Sequence, residues 1–294
     1  MPDAATTTTV RIRALAPSLA PAERRVAERV LADPAAVAAS TITSLAKECE
    51  TSETTVIRFC RAVGFTGYPA LRLALAAENG RGDADDSRDL TGDIAADDDL
   101  DKVVAKIAFA DARAVEETAQ QLDLDALHAV IDALVGARRV DVYGVGASGF
   151  VALDFQQKLH RIGRVAFAWT DPHMALTSAA LLTPDDVAVA ISHTGATRDT
   201  IDALKKAQEA GATTVALTNF PRSPLAQLGD HVLTTAARET TFRSGATASR
   251  LAQLTVVDCV FVGVAQRTFE TTQHALEVTH DAVAGRRIGR RSGR

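Results

Sequence analysis

Tyr143-Gly-Val-Gly-Ala-Ser-Gly-Phe150 completes the spacing G-x-G-x-x-G at Gly144, Gly146 and Gly149. A short β-rich run, Arg139–Tyr143, stands before it, and a helical pattern over about 148–161 follows. A strand that turns through glycines into a helix is the first unit of an α/β sheet. Downstream the unit repeats. Further β-rich runs fall at Val165–Trp169, Val187–Ile191, Thr214–Thr218 and Val232–Thr235, with helical patterns near 172–182, 197–210, 223–228 and 245–268. Two more helical patterns, near 101–120 and 123–135, precede the first strand. The alternation predicts a doubly wound, parallel, five-stranded sheet with helices on both faces. In such sheets ligands bind outside the carboxyl ends of the strands.

Two glycine loops stand at those ends. The first carries Gly146 and Ser148. The second, Ile191-Ser-His-Thr-Gly-Ala-Thr-Arg198, sets the hydroxyls of Ser192, Thr194 and Thr197 around Gly195 as a helix begins. A helix N-terminus leaves backbone N–H groups unpaired and carries about half a positive charge, so it favours an anion. Three hydroxyls and a glycine turn can wrap one phosphate without a lysine. The chain has no G-x-x-x-x-G-K-[ST], which argues against P-loop nucleotide chemistry. A third polar stretch, Glu239–Arg250 (ETTFRSGATASR), brings a carboxylate, hydroxyls and two arginines, Arg243 and Arg250, to the same rim. The first loop alone also fits a dinucleotide pyrophosphate, with Asp171, 22 positions after Gly149, to take the ribose. Three polar loops converging on one pocket suit a small polyhydroxylated phosphate ester better, because a dinucleotide would spread further.

Upstream, the interval from Gly82 to Asp101 holds nine aspartates against one base, Arg88, and reads as a linker over 81–100. It divides a head at 1–80 from a body at 101–284 and a basic tail at 285–294. The chain of 294 residues carries a net charge of −5, yet residues 10–80 alone stand at +2. The tail holds five arginines and no acid, and reads as a solvated arm or a phosphate grip.

In the head, Ile42, Leu45, Ala46 and Cys49 share one helical face, and Val56, Phe59, Cys60 and Val63 share another. Glu50–Ser52 interrupt the two, with Thr51 or Ser52 suited to cap the second helix, which Gly64 ends. Two short helices joined by a brief turn match helix-turn-helix geometry, whose second helix enters the DNA major groove. Thr54, Arg58 and Arg61 project opposite the apolar stripe. With Ser52 and Thr55 of the polar first turn they are the candidate contacts to base edges and backbone. Flanking helical patterns at Pro21–Leu31 and Pro69–Ala77, with Phe65 and Tyr68, complete a small all-α bundle.

Composition bounds the rest. Hydrophobic residues make up 47% of the chain and aromatics only 4%, so the core is built from Ala, Val, Leu and Ile. Cys49, Cys60 and Cys259 have neither metal-ligand spacing nor an even count, and read as small buried hydrophobes. No metal and no cofactor is expected. The most apolar run, Leu251–Ala265, is broken by Gln253 and Asp258 and falls short of the ~20 residues that span a bilayer. The start is polar and lacks signal-peptide features, so a cytoplasmic protein without a membrane partner is expected.

The stretches YGVGASGFVALDFQQKLHRIG, VAVAISHTGATRDTIDALKKAQEAGATTVALTN, SPLAQLGDHVL and ETTFRSGATASRLAQL closely resemble the sugar isomerase (SIS) domain of the RpiR family of bacterial transcriptional regulators. The stretch LAKECETSETTVIRFCRAVGFTGYPALRLALA resembles that family's N-terminal helix-turn-helix. The resemblance runs from about residue 10 to 280 and implies a dimeric or tetrameric regulator that senses a phosphorylated sugar and alters binding to a double-stranded DNA operator. By that resemblance Ser192, Thr194 and Thr197 match the phosphate-binding motif, and Ser148 matches the polar residue of the first glycine loop. Glu239 stands near the place where related isomerases hold a catalytic carboxylate. The chain departs from the pattern at Thr194, where Ser is common, and at Ala196, where many relatives carry Glu. An isomerase would need Glu239 as general base and a partner acid, for which His160, His173 and His193 are the candidates; each reads better as a packed or solvated histidine. The attached head makes sensing the more economical function, with no catalysis. A sugar-phosphate isomerase and an NAD-sensing repressor are the alternatives.

Overall fold

A computed structural model describes residues 7–79, 93–239 and 248–284 together with Arg286. Residues 1–6, most of the acidic interval, Arg243 and all of the basic tail except Arg286 lie outside the described residues.

The N-terminal part is helical: α1 (Thr8–Leu15), α2 (Pro21–Ala32), α3 (Pro34–Ala39), α4 (Ile42–Glu48), α5 (Glu53–Ala62) and α6 (Tyr68–Asn79). Pro21 and Pro34 open α2 and α3, where the missing N–H would have had no helical partner. The stripes expected of α4 and α5 are buried together: Leu45, Ala46, Cys49, Val56, Phe59, Cys60 and Val63 pack with Val26, Val30, Leu71 and Leu75. Tyr68 joins that core and donates its hydroxyl to the carbonyl of Val37 at 3.1 Å. Burial pushes the Cys60 thiol up to about 12, which leaves it inert.

The second part begins with α7 (Leu100–Gln121) and α8 (Leu124–Gly136), capped by the side chains of Asp99 and Asp123. Then follow β1 (Arg139–Tyr143), α9 (Ala147–Arg161), β2 (Ala166–Trp169), α10 (Pro172–Ala179), β3 (Asp186–Ile191), α11 (Arg198–Glu209), β4 (Thr213–Thr218), β5 (His231–Thr234), α12 (Ala248–Arg267) and α13 (Phe269–Ala284). The strands form one parallel sheet in the order β2-β1-β3-β4-β5. Alternation along β3 sorts residues by size. Val187, Val189 and Ile191 pack on the face covered by α8, α9 and α12, whereas Ala188 and Ala190 pack on the face covered by α10 and α11. The Asp141 carboxylate is buried in that second face. It accepts from Arg139 Nε at 2.7 Å, Trp169 Nε1 at 2.9 Å and Ser178 Oγ at 2.6 Å, so its lone pairs are satisfied.

The structure corrects several sequence expectations. The helix expected at 223–228 is only a 3-10 turn, Ala226–Leu228. Pro224 lacks a donor and Gly229 follows at once, so the segment is too short to recover the cost of nucleating an α-helix. A helix not anticipated, α13, fills residues 269–284. Cys259 is exposed, on the outward face of α12, while Cys49 and Cys60 are buried. By length and mean hydropathy α12 reaches the threshold of a membrane span, contrary to the expectation from its broken apolar run. It is a core helix here: Ala252, Val256, Val257, Val260 and Val264 are all buried against neighbouring elements. The end of the acidic interval is also tied down. Asp98 pairs with the buried Lys106 at 2.5 Å, and Lys106 donates to the carbonyl of Asp93 at 2.9 Å.

Candidate functional site

Strand order reverses between β1 and β3, because the chain passes from β1 outward to β2 and then returns to the other side of β1. A cleft opens beside the carboxyl ends of these two strands, as the topology requires. Val145, Ala147 and Ser148 form one wall, Ile191 to Thr194 and Thr197 another, and Glu239, Ser249 and Gln253 the third.

Two of the helices that start at the cleft, α9 and α11, lack a side-chain cap. The N-cap of α9 is Gly146 and that of α11 is Thr197, and neither accepts from its own helix through a side chain. Elsewhere α4, α5, α7, α8 and α10 are capped by Thr41, Ser52, Asp99, Asp123 and Asp171. Two uncapped N-termini facing one cleft add their partial positive charges there.

Local geometry in the second loop follows from Gly195. Its φ of +61° is a left-handed conformation, and an added Cβ would overlap Ser223 and lie 2.8 Å from Thr218 Oγ1. The turn that results brings hydroxyls together: Ser192 Oγ and Thr197 Oγ1 lie 3.0 Å apart. The Gly195 N–H donates to Ser192 Oγ at 3.1 Å, and the Ala196 N–H to Thr194 Oγ1 at 3.2 Å. Of the residues expected from sequence, Ser148, Ser192, Thr194, Thr197 and Glu239 line the cleft, whereas Gly146 and Gly195 shape its two turns. Ala196 is exposed and outside the lining.

Three further polar residues that line the cleft stand outside the set of ligand candidates expected from sequence. His193, taken as packed or solvated, lies 3.8 Å through Nε2 from the Glu239 carboxylate, edge-on to Phe220. Burial lowers its pKa and the Glu239 charge opposes that shift. Its Nδ1 is buried without a partner among the described residues. Ser249 donates its hydroxyl to Glu239. Gln253, 1% exposed, accepts at Oε1 from Ser148 Oγ at 3.2 Å. The signal available in the sequence is the amide itself, one of two interruptions of the apolar run Leu251–Ala265.

The dinucleotide alternative loses its acidic anchor. Asp171 is the N-cap of α10, its Oδ1 accepting from the Met174 N–H at 2.9 Å. The crevice it lines with Tyr143, Gly144 and Asp199 is much smaller than the cleft. Gly144 and Gly149 serve backbone packing: a Cβ on Gly144 would fall 2.6 Å from the Ser148 carbonyl oxygen.

In the helical part, the turn between α4 and α5 is held from outside. Arg25 donates through Nε to the Cys49 carbonyl and through Nη2 to the Glu50 carbonyl, both at 3.0 Å, and Glu50 adopts a left-handed φ of 49°. Ser52 caps α5, accepting from the Thr55 N–H at 3.2 Å. Thr54 and Arg61 are exposed. Arg58 is exposed too, but its guanidinium pairs with Glu23 of α2 at 3.0 Å, a partner that sequence spacing could not reveal.

Residues 7–81 match the helix-turn-helix domain of the rpiR family, and residues 133–263 match the SIS domain. A helix-turn-helix-type transcriptional regulator of Caldanaerobacter subterraneus subsp. tengcongensis is 40% identical over 94% of this chain and 97% of its own length. Among solved structures, the Vibrio vulnificus NanR protein complexed with ManNAc-6P superposes with a TM-score of 0.61 at 29% identity, covering 96% of this chain and all (100%) of that one. The sugar isomerase domain of an RpiR transcription factor from Sphaerobacter thermophilus covers 61% of this chain and 99% of its own, at 29% identity and a TM-score of 0.57.

Proposed function

The chain belongs to the RpiR family of helix-turn-helix transcriptional regulators, with a SIS domain behind the helix-turn-helix, and on that premise we propose that a phosphorylated sugar in the cleft sets how tightly the protein holds DNA. The observation that carries this reading is the convergence of two uncapped helix N-termini and the hydroxyls of Ser192, Thr194 and Thr197 on one cleft. Backbone dipoles and neutral hydroxyls favour a dianion there, and Glu239 at the far wall repels one, which orients a ligand with its phosphate toward α11 and its hydroxyls toward Glu239. The ManNAc-6P bound to the similar Vibrio vulnificus protein supports the same ligand class for this chain.

In this reading residues 1–80 form the DNA-binding head, 81–100 the linker, 101–284 the sensor and 285–294 a basic tail. The protein acts in the cytoplasm as a homodimer or homotetramer. Ser52, Thr54, Thr55, Arg58 and Arg61 face DNA, and paired heads read half-sites about 34–36 Å apart, or a multiple of that. The ligand acts by its differential affinity for two arrangements of the heads.

A thermal-shift screen of the full chain tests the proposal. One or more hexose phosphates should raise Tm while the corresponding free sugars do not. Ser192→Ala with Thr194→Ala should abolish the rise and leave DNA binding intact, and Arg58→Ala should do the reverse. A rise with free sugars alone would remove the phosphate from the recognition.

A second reading, sugar-phosphate isomerisation, is favoured by one observation, the His193–Glu239 pair in the cleft. Turnover of fructose 6-phosphate or glucosamine 6-phosphate by the full chain, lost in Glu239→Gln, would establish it over pure sensing.

A further inference from the structure

Gln253 is a polar residue on α12 whose helical neighbours Ala252, Val256, Val257 and Val260 are buried and apolar. Its amide is half satisfied. Oε1 is fixed by the Ser148 hydroxyl, and Nε2 is buried with no acceptor among the described residues. Leucine would fill the same space without an orphaned donor, so packing alone does not account for the amide. Nor does a structural tie between α9 and α12, because that tie uses only the oxygen end. The same side chain lines the cleft. Glu239, on the same wall, is a pure acceptor when ionised, whereas the Gln253 nitrogen is a pure donor.

We infer that Gln253 is the specificity-determining residue of the cleft: its Nε2 donates to an oxygen on the sugar portion of the effector, while Glu239 accepts from a sugar hydroxyl. The inference rests on the sugar-phosphate reading given above and assigns the discrimination within it. Phosphate is held at the α11 end by groups that any phosphate ester would satisfy. Selection among esters falls to the opposite wall, which presents both a donor and an acceptor. The effector class is thus a sugar phosphate with both a hydroxyl proton and an acceptor oxygen, carbonyl or hydroxyl, away from the phosphate. Ser148 is a positioning residue. By donating to Oε1 it turns the amide so that the nitrogen stays free for the ligand.

Calorimetric titration of the full chain with inorganic phosphate and with glucose, fructose and glucosamine 6-phosphates tests this. In wild type at least one ester should bind more tightly than inorganic phosphate. Gln253→Leu should weaken the best ester about tenfold to a hundredfold, since a site built to hydrogen-bond an oxygen loses that much or more when the pair is broken. Inorganic phosphate should be held within about twofold of wild type, because its handle is untouched. Ser148→Ala should give a smaller loss in the same direction, and it carries the comparison if Gln253→Leu does not fold. Equal losses for ester and inorganic phosphate would assign Gln253 a packing role and overturn the inference, as would an unchanged ester affinity in both variants. If wild type binds no ester at all, the sensor reading itself falls; if it binds one that neither variant disturbs, only the role of Gln253 does.

Discussion

His193 carries a pH signature that its sequence position does not announce. Burial holds the imidazole below its ordinary pKa, with Glu239 acting in the opposite sense. The folded state therefore binds the proton less readily than the unfolded one. Stability from the neutral ring is fully present above the unfolded value near 6.5 and is lost as pH falls toward the depressed folded value. Denaturant unfolding from pH 7.5 down to 5 should show a decline of up to about 1.4 kcal/mol per pH unit from this group, and His193→Gln should flatten it. Identical slopes would mean that the ring is not buried neutral. At this scale the hydroxyls of the second glycine loop were legible, since Ser192, Thr194, Gly195 and Thr197 are close neighbours in the chain. His193 and Gln253 were not, because their roles arise from partners 46 and 105 positions away.

Helix α7 begins with a buried ion pair rather than at a free linker end. Lys106 and its neighbour Lys102 hold the Asp98 carboxyl down to about 2, the Lys106 hydrogen bond being the largest cause. The depressed carboxyl contributes stability above its unfolded value near 3.8, and that share is lost as pH falls toward 2. Lys106→Met should lower Tm at pH 7 by about 3 °C or more, with the difference shrinking as the pH approaches 2. A constant difference across that range would exclude the pair as its source. Sequence reading placed α7, α8 and the β1 to β5 core within a residue or two, because hydrophobic period and caps are local signals. It misjudged the 223–228 segment and the exposure of Cys259, and did not anticipate α13. Whether a short helix forms, or which side of a long one meets the core, is decided by neighbours remote in the chain.

Between the two parts, Arg13 of α1 donates to Glu117 of α7 at 2.9 Å, and Glu117 also takes Arg113 at 2.7 Å. The next residue, Thr118, is fully buried and accepts from the Ala236 N–H at 2.9 Å, three positions before Glu239 of the cleft. A ligand that moves Glu239 would therefore be felt one residue from the only cross-contact by which Arg13 is held among the described residues. Arg13→Gln should leave DNA affinity and ligand affinity each within about threefold while reducing the ligand-induced change in DNA affinity, ordinarily about 5- to 150-fold, toward unity. Retention of the full change, measured by fluorescence anisotropy with DNA fragments selected for binding, would rule this contact out as the link.

What the sequence alone determined is the plan: a helical head, an acidic divide and a parallel sheet whose glycine turns deliver helix N-termini to one edge. Those features depend on neighbours a few residues apart, and local periodicity encodes them. The tertiary structure decided what faces what: Arg58 against Glu23, His193 against Glu239, Ser148 against Gln253, and Arg13 against Glu117. Each pair joins elements distant in sequence, so it exists only after the chain has folded and brought together side chains with no local relation.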